Sequence, residues 1–218
     1  GEMTMSDYAP DEATARADLC RFLSACYYEP AVEFAEEKLF DSMLVAATRL
    51  GPDLADHARK LGTAFASQDL QTLLVDYTRL FMGPIEALAR PYGTAWLGAP
   101  EPTEDNPPPA VVDLYSEGGF DIDDDFMELP DHVAVELEFL YLLTFNANLA
   151  ERTGQREDAV LTERLKVRFL SEHLGAWIAP FAAAVTAGAQ TAFYRELAAF
   201  TEHFVRIESG HPLDSTVH

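Results

Sequence analysis

Glu128-Leu-Pro-Asp-His132 sets two carboxylates beside an imidazole. Such groups serve proton transfer, metal ligation or the grip of a cation. Asp131 and His132 are neighbours in sequence, so along a helix they diverge and make a poor catalytic pair. His132 and Glu136 stand four apart and would share a helix face, where they could hold a metal. A metal site needs at least two more ligands, and no second His-x-x-x-Glu pair supplies them. The structural alternative is an acidic helix entry. Pro130 suits a first helical turn, and Glu128 and Asp131 would lie by a helix N-terminus, which favours anions.

Two further segments hold large apolar side chains where regular structure breaks. In Arg90-Pro-Tyr-Gly-Thr-Ala-Trp96, Pro91, Tyr92 and Trp96 sit in a Pro/Gly-broken run without helical period. Aromatics so placed either line a peptide-binding surface, burying large area at small entropic cost, or tuck a loop onto the core. In Asp76-Tyr-Thr-Arg-Leu-Phe-Met-Gly-Pro84, Tyr77, Leu80 and Phe81 share a helix face just before a Gly-Pro stop, which is also the pattern of a plain core stripe. The phosphate loop, the dinucleotide G-x-G-x-x-G, the G-x-S-x-G elbow and H-E-x-x-H are absent from the sequence.

The elements that must position these residues are helical. Leu19, Phe22, Leu23, Cys26 and Tyr27 mark one face of a helix that stops at Glu29-Pro30. Leu39 to Leu50 repeats the period and ends at Gly51-Pro52; Leu54 to Phe65 follows; Leu70 to Phe81 predicts a fourth helix ended by Gly83-Pro84. Residues 82–130 then hold eight of the 13 prolines. A short helix over Ala110–Glu117 is expected there, closed by Gly118-Gly119. Helical period returns from Pro130, continues through Leu161–Leu170 and the Ala-rich 176–187, and ends with Phe193 to Phe204. The expectation is an all-α domain of eight to ten helices over 1–218, with a flexible N-terminus at 1–10 and an acidic, Pro-rich loop or hinge at 98–129. A long hinge between helical halves permits domain exchange, so monomer and homodimer both fit.

Composition narrows the partners. The 218 residues carry 37 Asp and Glu against 15 Lys and Arg, with 48% hydrophobic residues, which is a globular and strongly acidic balance. Nucleic acid and anionic lipid would be repelled. The charge is segregated: from Pro91 to Glu151 there are 14 acidic residues and no Lys or Arg, while the other 157 residues carry 23 acidic and 15 basic. A cation-free stretch that also holds the aromatic segment and Glu128–His132 reads as a docking surface for a basic peptide, with a solvated acidic loop as the plain alternative. Cys20 and Cys26 are six apart on one helix, turned about 240° from each other, so they form neither a local disulfide nor a shared metal site. No signal peptide and no run of about 18 apolar residues is read, so the expected compartment is the cytoplasm.

Taken in order, Cys26-Tyr-Tyr-Glu-Pro30, Asp76-Tyr-Thr-Arg-Leu-Phe-Met-Gly-Pro84, Pro91-Tyr92 and Glu128-Leu-Pro-Asp-His132 resemble the TorD/DmsD/NarJ family of redox-enzyme maturation chaperones over most of the chain. Many members write the last motif Glu-Pro-x-Asp-His; proline here is third, Pro130, which is closer to the chaperones of nitrate reductases and related dehydrogenases. The resemblance implies a cytoplasmic all-α chaperone, not an enzyme. Such a chaperone binds the twin-arginine signal peptide and the apo catalytic subunit of a molybdenum-containing oxidoreductase, assists cofactor insertion and delays export. It implies no resident cofactor, although some members bind guanine nucleotide weakly. The expected peptide-binding residues are Tyr77, Leu80, Phe81, Pro91, Tyr92, Glu128, Pro130, Asp131 and His132 from these motifs, with Trp96 added from the aromatic segment as part of the groove. The alternatives are an all-α metal-binding protein or enzyme using His132 and Glu136, and an acidic scaffold whose motifs are structural.

Overall fold

In the computed structural model, which describes residues 8–83, 86–100, 105–106, 108–122 and 128–214, side-chain caps and glycines set several of the helix boundaries. Asp11 accepts from the Thr14 N–H and opens α1 (Glu12–Ala25). A single turn, α2 (Glu33–Glu36), precedes α3 (Leu39–Leu50). Gly51 then hands the chain to α4 (Pro52–Ala66), with Pro52 in the first turn. Asp69 caps α5 (Leu70–Tyr77) by accepting from the Thr72 N–H. Beyond lie α6 (Gly93–Leu97), α7 (Val111–Glu117), α8 (Val133–Arg152), α9 (Arg156–Glu172), α10 (Leu174–Gly188) and α11 (Ala192–Asp214). Nine of these eleven helices span seven residues or more, which matches the all-α expectation. The extended pairing among the described residues is one antiparallel bridge, Tyr92 with His132.

Three local features differ from the sequence reading. The helix expected to run from Leu70 to Phe81 changes pitch: Thr78–Met82 form a π turn, closed by the Gly83 N–H on the Thr78 carbonyl at 2.6 Å. The Arg90–Trp96 run contains a one-turn helix, α6, which periodicity over so few residues does not reveal. The helix expected from Pro130 starts at Val133, because His132 is extended (φ −62°, ψ 142°) and its ring caps the helix. At the ends, Tyr8 is tied by its hydroxyl to Asp18 at 2.6 Å. Residues 1–7 of the expected flexible terminus, and 101–104, 107 and 123–127 of the expected loop, lie outside the described residues.

α8 is the centre of the packing. It lies against α1 and α9 and touches α10, so apolar side chains are buried nearly all round it. By length and composition α8 could cross a bilayer, but most of it is covered by its neighbours and it carries Glu136 and Glu138. α11 packs on α10, α4 and α9. Tyr27, Phe81, Phe181 and Tyr194 meet where α1, α10, α11 and the π turn converge, Phe81 stacked on Phe181 and edge-on to Tyr27 and Tyr194. Buried Glu208 of α11 joins α1 and α9 through Arg16 at 2.6 Å and Lys166 at 2.9 Å. Cys20 and Cys26 are both free and buried, and burial pushes both thiols up, away from the reactive thiolate.

Candidate functional site

The π turn, the loop behind it and the entry to α8 meet the end of α1 around a cleft of about 870 Å³. Tyr28 and Glu29 come from the turn that follows α1; Tyr77 from the end of α5; Phe81 and Met82 from the π turn; Glu86, Ala87, Arg90, Pro91 and Tyr92 from the loop; Glu128 and His132 from the approach to α8. Two segments singled out separately in the sequence are therefore paired in space. The Gly93 N–H donates to the Asp131 carbonyl at 3.0 Å and the Val133 N–H to the Pro91 carbonyl at 2.8 Å. That short bridge sets Tyr92 edge-on to His132, with ring centroids 5.3 Å apart, while Tyr28 stacks on the imidazole at 6.1 Å.

His132 holds this wall through its tautomer. The Ala134 N–H donates to Nδ1 at 3.0 Å, so Nδ1 is the acceptor and Nε2 carries the hydrogen, 3.8 Å from the Glu128 carboxylate. Burial pushes the imidazole down to about 4, so it is neutral at pH 7 and acts as cap and wall rather than as a cation. The Tyr92 hydroxyl donates to Glu128 at 3.1 Å. Burial, then the Glu128 charge, raise the Tyr92 phenol, and Tyr77 is pushed up to about 12, so both stay protonated donors. The rim thus carries Glu29, Glu86 and Glu128 against Arg90, over a floor of Tyr77 and Phe81. Toward the phosphates of a nucleotide, the three rim carboxylates would be repulsive.

The expected site residues divide. Tyr77, Phe81, Pro91, Tyr92, Glu128 and His132 line the cleft. Leu80 is fully buried beneath it. Trp96 turns away, its indole N–H on the Arg90 carbonyl at 2.7 Å. Pro130 serves through its carbonyl, which accepts from the Tyr115 hydroxyl at 2.6 Å. Asp131 is buried and caps α6 rather than α8, accepting from the Thr94 N–H at 2.9 Å. Glu136 points at Trp177, away from the ring that was its expected metal partner. Among the described residues, no three His, Cys, Asp or Glu side chains converge as metal ligands would.

The acidic stretch also disperses. Glu117 pairs with Arg168, Glu138 accepts from the Tyr28 hydroxyl, and Asp131 and Glu136 are buried. Of the described carboxylates in 91–151, Glu128 is the one that lines the cleft. Glu101, Glu104 and Asp123 to Asp125 lie outside the described residues. The rim is completed by residues that charge segregation missed: Glu29, Glu86 and the cation Arg90. The signal for Tyr28 and Glu29 was present in Cys26-Tyr-Tyr-Glu-Pro30, where a proline stops the helix and leaves both in an irregular turn.

Gly83 makes the loop wall feasible. It sits at φ 60°, ψ 170°, and a Cβ there would lie 2.5 Å from the backbone of Glu86. The loop folds back over the π turn, with the Leu88 N–H on the Arg79 carbonyl at 3.2 Å and the Ala89 N–H on Leu80 at 2.7 Å. Gly83→Ala is expected to destabilise the protein by about 2 kcal/mol in urea titration. Gly98→Ala, also at positive φ but with open space around it, should cost about half that. Equal costs would show that the close approach at Glu86 contributes nothing.

An anionic, tyrosine-walled cleft thus lies at the crossing of four segments of an all-α chain. Comparison with known proteins gives the family. The family model described as nitrate reductase delta subunit matches residues 47–183, and the chain belongs to that family, in which TorD and NarJ are chaperones of redox-enzyme maturation. It is 25% identical over 207 residues to the chaperone protein TorD of Shewanella loihica, covering 89% of this chain and 91% of that one. With the Vibrio cholerae chaperone protein TorD it shares 25% over 210 residues, 93% of both chains. The Photobacterium profundum chaperone protein TorD is 30% identical over 135 residues, 62% of this chain and 61% of the relative. The role these comparisons give the chain is that of a system-specific maturation chaperone for a redox enzyme, and not of an enzyme.

Proposed function

We propose that this chain binds the twin-arginine signal peptide of a molybdenum-containing oxidoreductase in the cytoplasm. Holding the apo catalytic subunit there, it would allow cofactor insertion before export. The observation that carries this reading is the cleft rim, three carboxylates over aromatic side chains. Two adjacent guanidiniums match it in both respects. Each can bond a carboxylate bidentately and stack on a tyrosine face. Binding would need no chemistry beyond this, and release would follow when the folded client withdraws its peptide.

Calorimetry with a synthetic Arg-Arg peptide tests the proposal. The wild-type chain should bind it with affinity that falls as salt rises, and a Lys-Lys peptide should bind more weakly because an ammonium cannot bond bidentately. The triple variant Glu29→Gln, Glu86→Gln, Glu128→Gln should lose at least tenfold in affinity, about 1.4 kcal/mol. A control neutralising Glu157 and Asp158 at the start of α9 should lose none. No binding to the wild type at low salt, or equal affinity in the triple variant, would end the proposal.

A further inference from the structure

The anionic rim carries one side chain of the opposite sign. From Leu80 to Glu151 the sequence holds a single Lys or Arg, Arg90, and that residue stands on the cleft with Glu29, Glu86 and Glu128. Among the described residues that line the cleft, no other Lys or Arg appears. A stretch otherwise without cations therefore places its one positive charge where a cationic ligand would enter.

The backbone holds Arg90 from both sides. Ala89 is fully buried and donates its N–H to the Leu80 carbonyl at 2.7 Å. The Arg90 carbonyl accepts from the Trp96 indole at 2.7 Å, and the carbonyl of buried Pro91 accepts from the Val133 N–H at 2.8 Å. The Pro91 ring fixes the next φ as well. Arg90 is thus an exposed side chain on a backbone clamped between two buried residues. Trp96, which turns away from the cleft, acts in this clamp.

We infer that Arg90 is a specificity-determining residue of the cleft, limiting how much positive charge the rim accepts, so that a pair of arginines is not displaced by a longer basic run. This rests on the peptide-binding reading of the cleft and adds what the cleft rejects. Three carboxylates alone would attract cations in proportion to their number, whatever their shape. A guanidinium held among them opposes every cation that enters, and the opposition grows with the ligand's charge. Bidentate bonds and stacking on tyrosine depend on geometry instead, so their share in recognition rises. A repulsive group supplies discrimination that attraction alone does not.

Calorimetry at about 10 mM salt, where screening acts over roughly 30 Å, compares the wild type with Arg90→Gln and Arg90→Lys. One synthetic peptide carries two arginines in a neutral sequence, and a second carries four. The four-arginine peptide should bind less than about threefold more tightly than the two-arginine peptide in the wild type, and about tenfold or more in Arg90→Gln. Arg90→Lys keeps the charge and should show the wild-type ratio; a ratio like that of Arg90→Gln would trace the effect to packing and overturn the inference. The same ratio in Arg90→Gln as in the wild type would overturn it while leaving the cleft's peptide binding intact. Weaker binding of both peptides to Arg90→Gln would also overturn it, because Arg90 would then bond the ligand. No binding of the two-arginine peptide to the wild type would overturn both readings.

Discussion

Asp76→Ala is expected to lower the stability of the fold by about 3 kcal/mol, read from the urea midpoint with the slope unchanged. Asp76 is 1% exposed and stands at the end of α5, yet its bonds cross to the start of α11. Its carboxylate accepts from the Gln190 N–H at 3.1 Å, the Thr191 N–H at 2.9 Å and the Thr191 hydroxyl at 2.7 Å. Thr191 in turn caps α11, accepting from the Tyr194 N–H at 3.4 Å. Truncation leaves the Gln190 and Thr191 donors, and the Arg79 guanidinium 3.1 Å from Oδ1, without their acceptor, and the buried Thr191 donors cost about 1 kcal/mol or more each. Asp76→Asn keeps an accepting oxygen and should lose less than half as much. A change below about 0.5 kcal/mol in Asp76→Ala would mean that these bonds are replaced by others, and the account of how α5 is held to α11 would fail.

Glu136→Gln should stabilise the protein, and increasingly so as pH rises. Glu136 is 1% exposed, on α8, and its Oε1 accepts from the Trp177 indole N–H at 3.1 Å. The backbone at Gly93 presses so close that an added Cβ would lie 3.1 Å from Oε2. Burial raises this carboxyl well above its ordinary 4.5, the Trp177 bond opposes the shift, and the Asp131 charge adds to it. A group raised in the folded state contributes stability at low pH and loses it as pH rises. Above the unfolded value, the unfolded chain releases the proton and the folded chain keeps it. Wild-type stability therefore falls by about 1.4 kcal/mol per pH unit from this group until the folded value is reached. Glutamine keeps the bond from Trp177 and has no proton to lose, so the difference between variant and wild type should grow from pH 5 upward. His132 works in the opposite direction. Lowered from 6.5 to about 4, it costs stability as pH falls through that window. It is the same in both proteins and cancels in the difference. Thermal unfolding from pH 4 to 8 reads the slope; a flat difference would mean that Glu136 is ionised in the folded chain.

Both residues lie in segments singled out by sequence, and in both the tertiary structure assigned the role. Asp76 opens the motif that ends at Pro84; beside its near neighbour Arg79, its partners Gln190 and Thr191 are more than a hundred residues away. Glu136 was weighed as a metal ligand because it stands four residues from His132. That spacing holds only if both lie on the helix, whereas His132 is its extended cap. The same cap explains why α8 starts three residues after Pro130. Tyr92, His132 and Glu128 were legible as a set, since a proline-broken aromatic run and an acidic, proline-started segment both announce irregular backbone. Trp96 and Leu80 were not separable from them, because a side chain's direction out of a one-turn helix or a π turn depends on a pitch that composition does not encode.

By itself, the sequence determined the all-α class, the ends of most helices and the absence of common catalytic signatures. These follow from local physics: a 3.6-residue apolar period, side-chain caps, and glycine or proline at stops. Tertiary structure decided which charges act together. The acidic stretch looked like one surface because its carboxylates are close along the chain, but the chain's turns bury Asp131 and Glu136 and pair Glu117 with Arg168. The anionic rim draws Glu29, Glu86 and Glu128 from three separate segments. Electrostatic interaction falls off over roughly 10 Å of space, and the distance along the chain does not enter it.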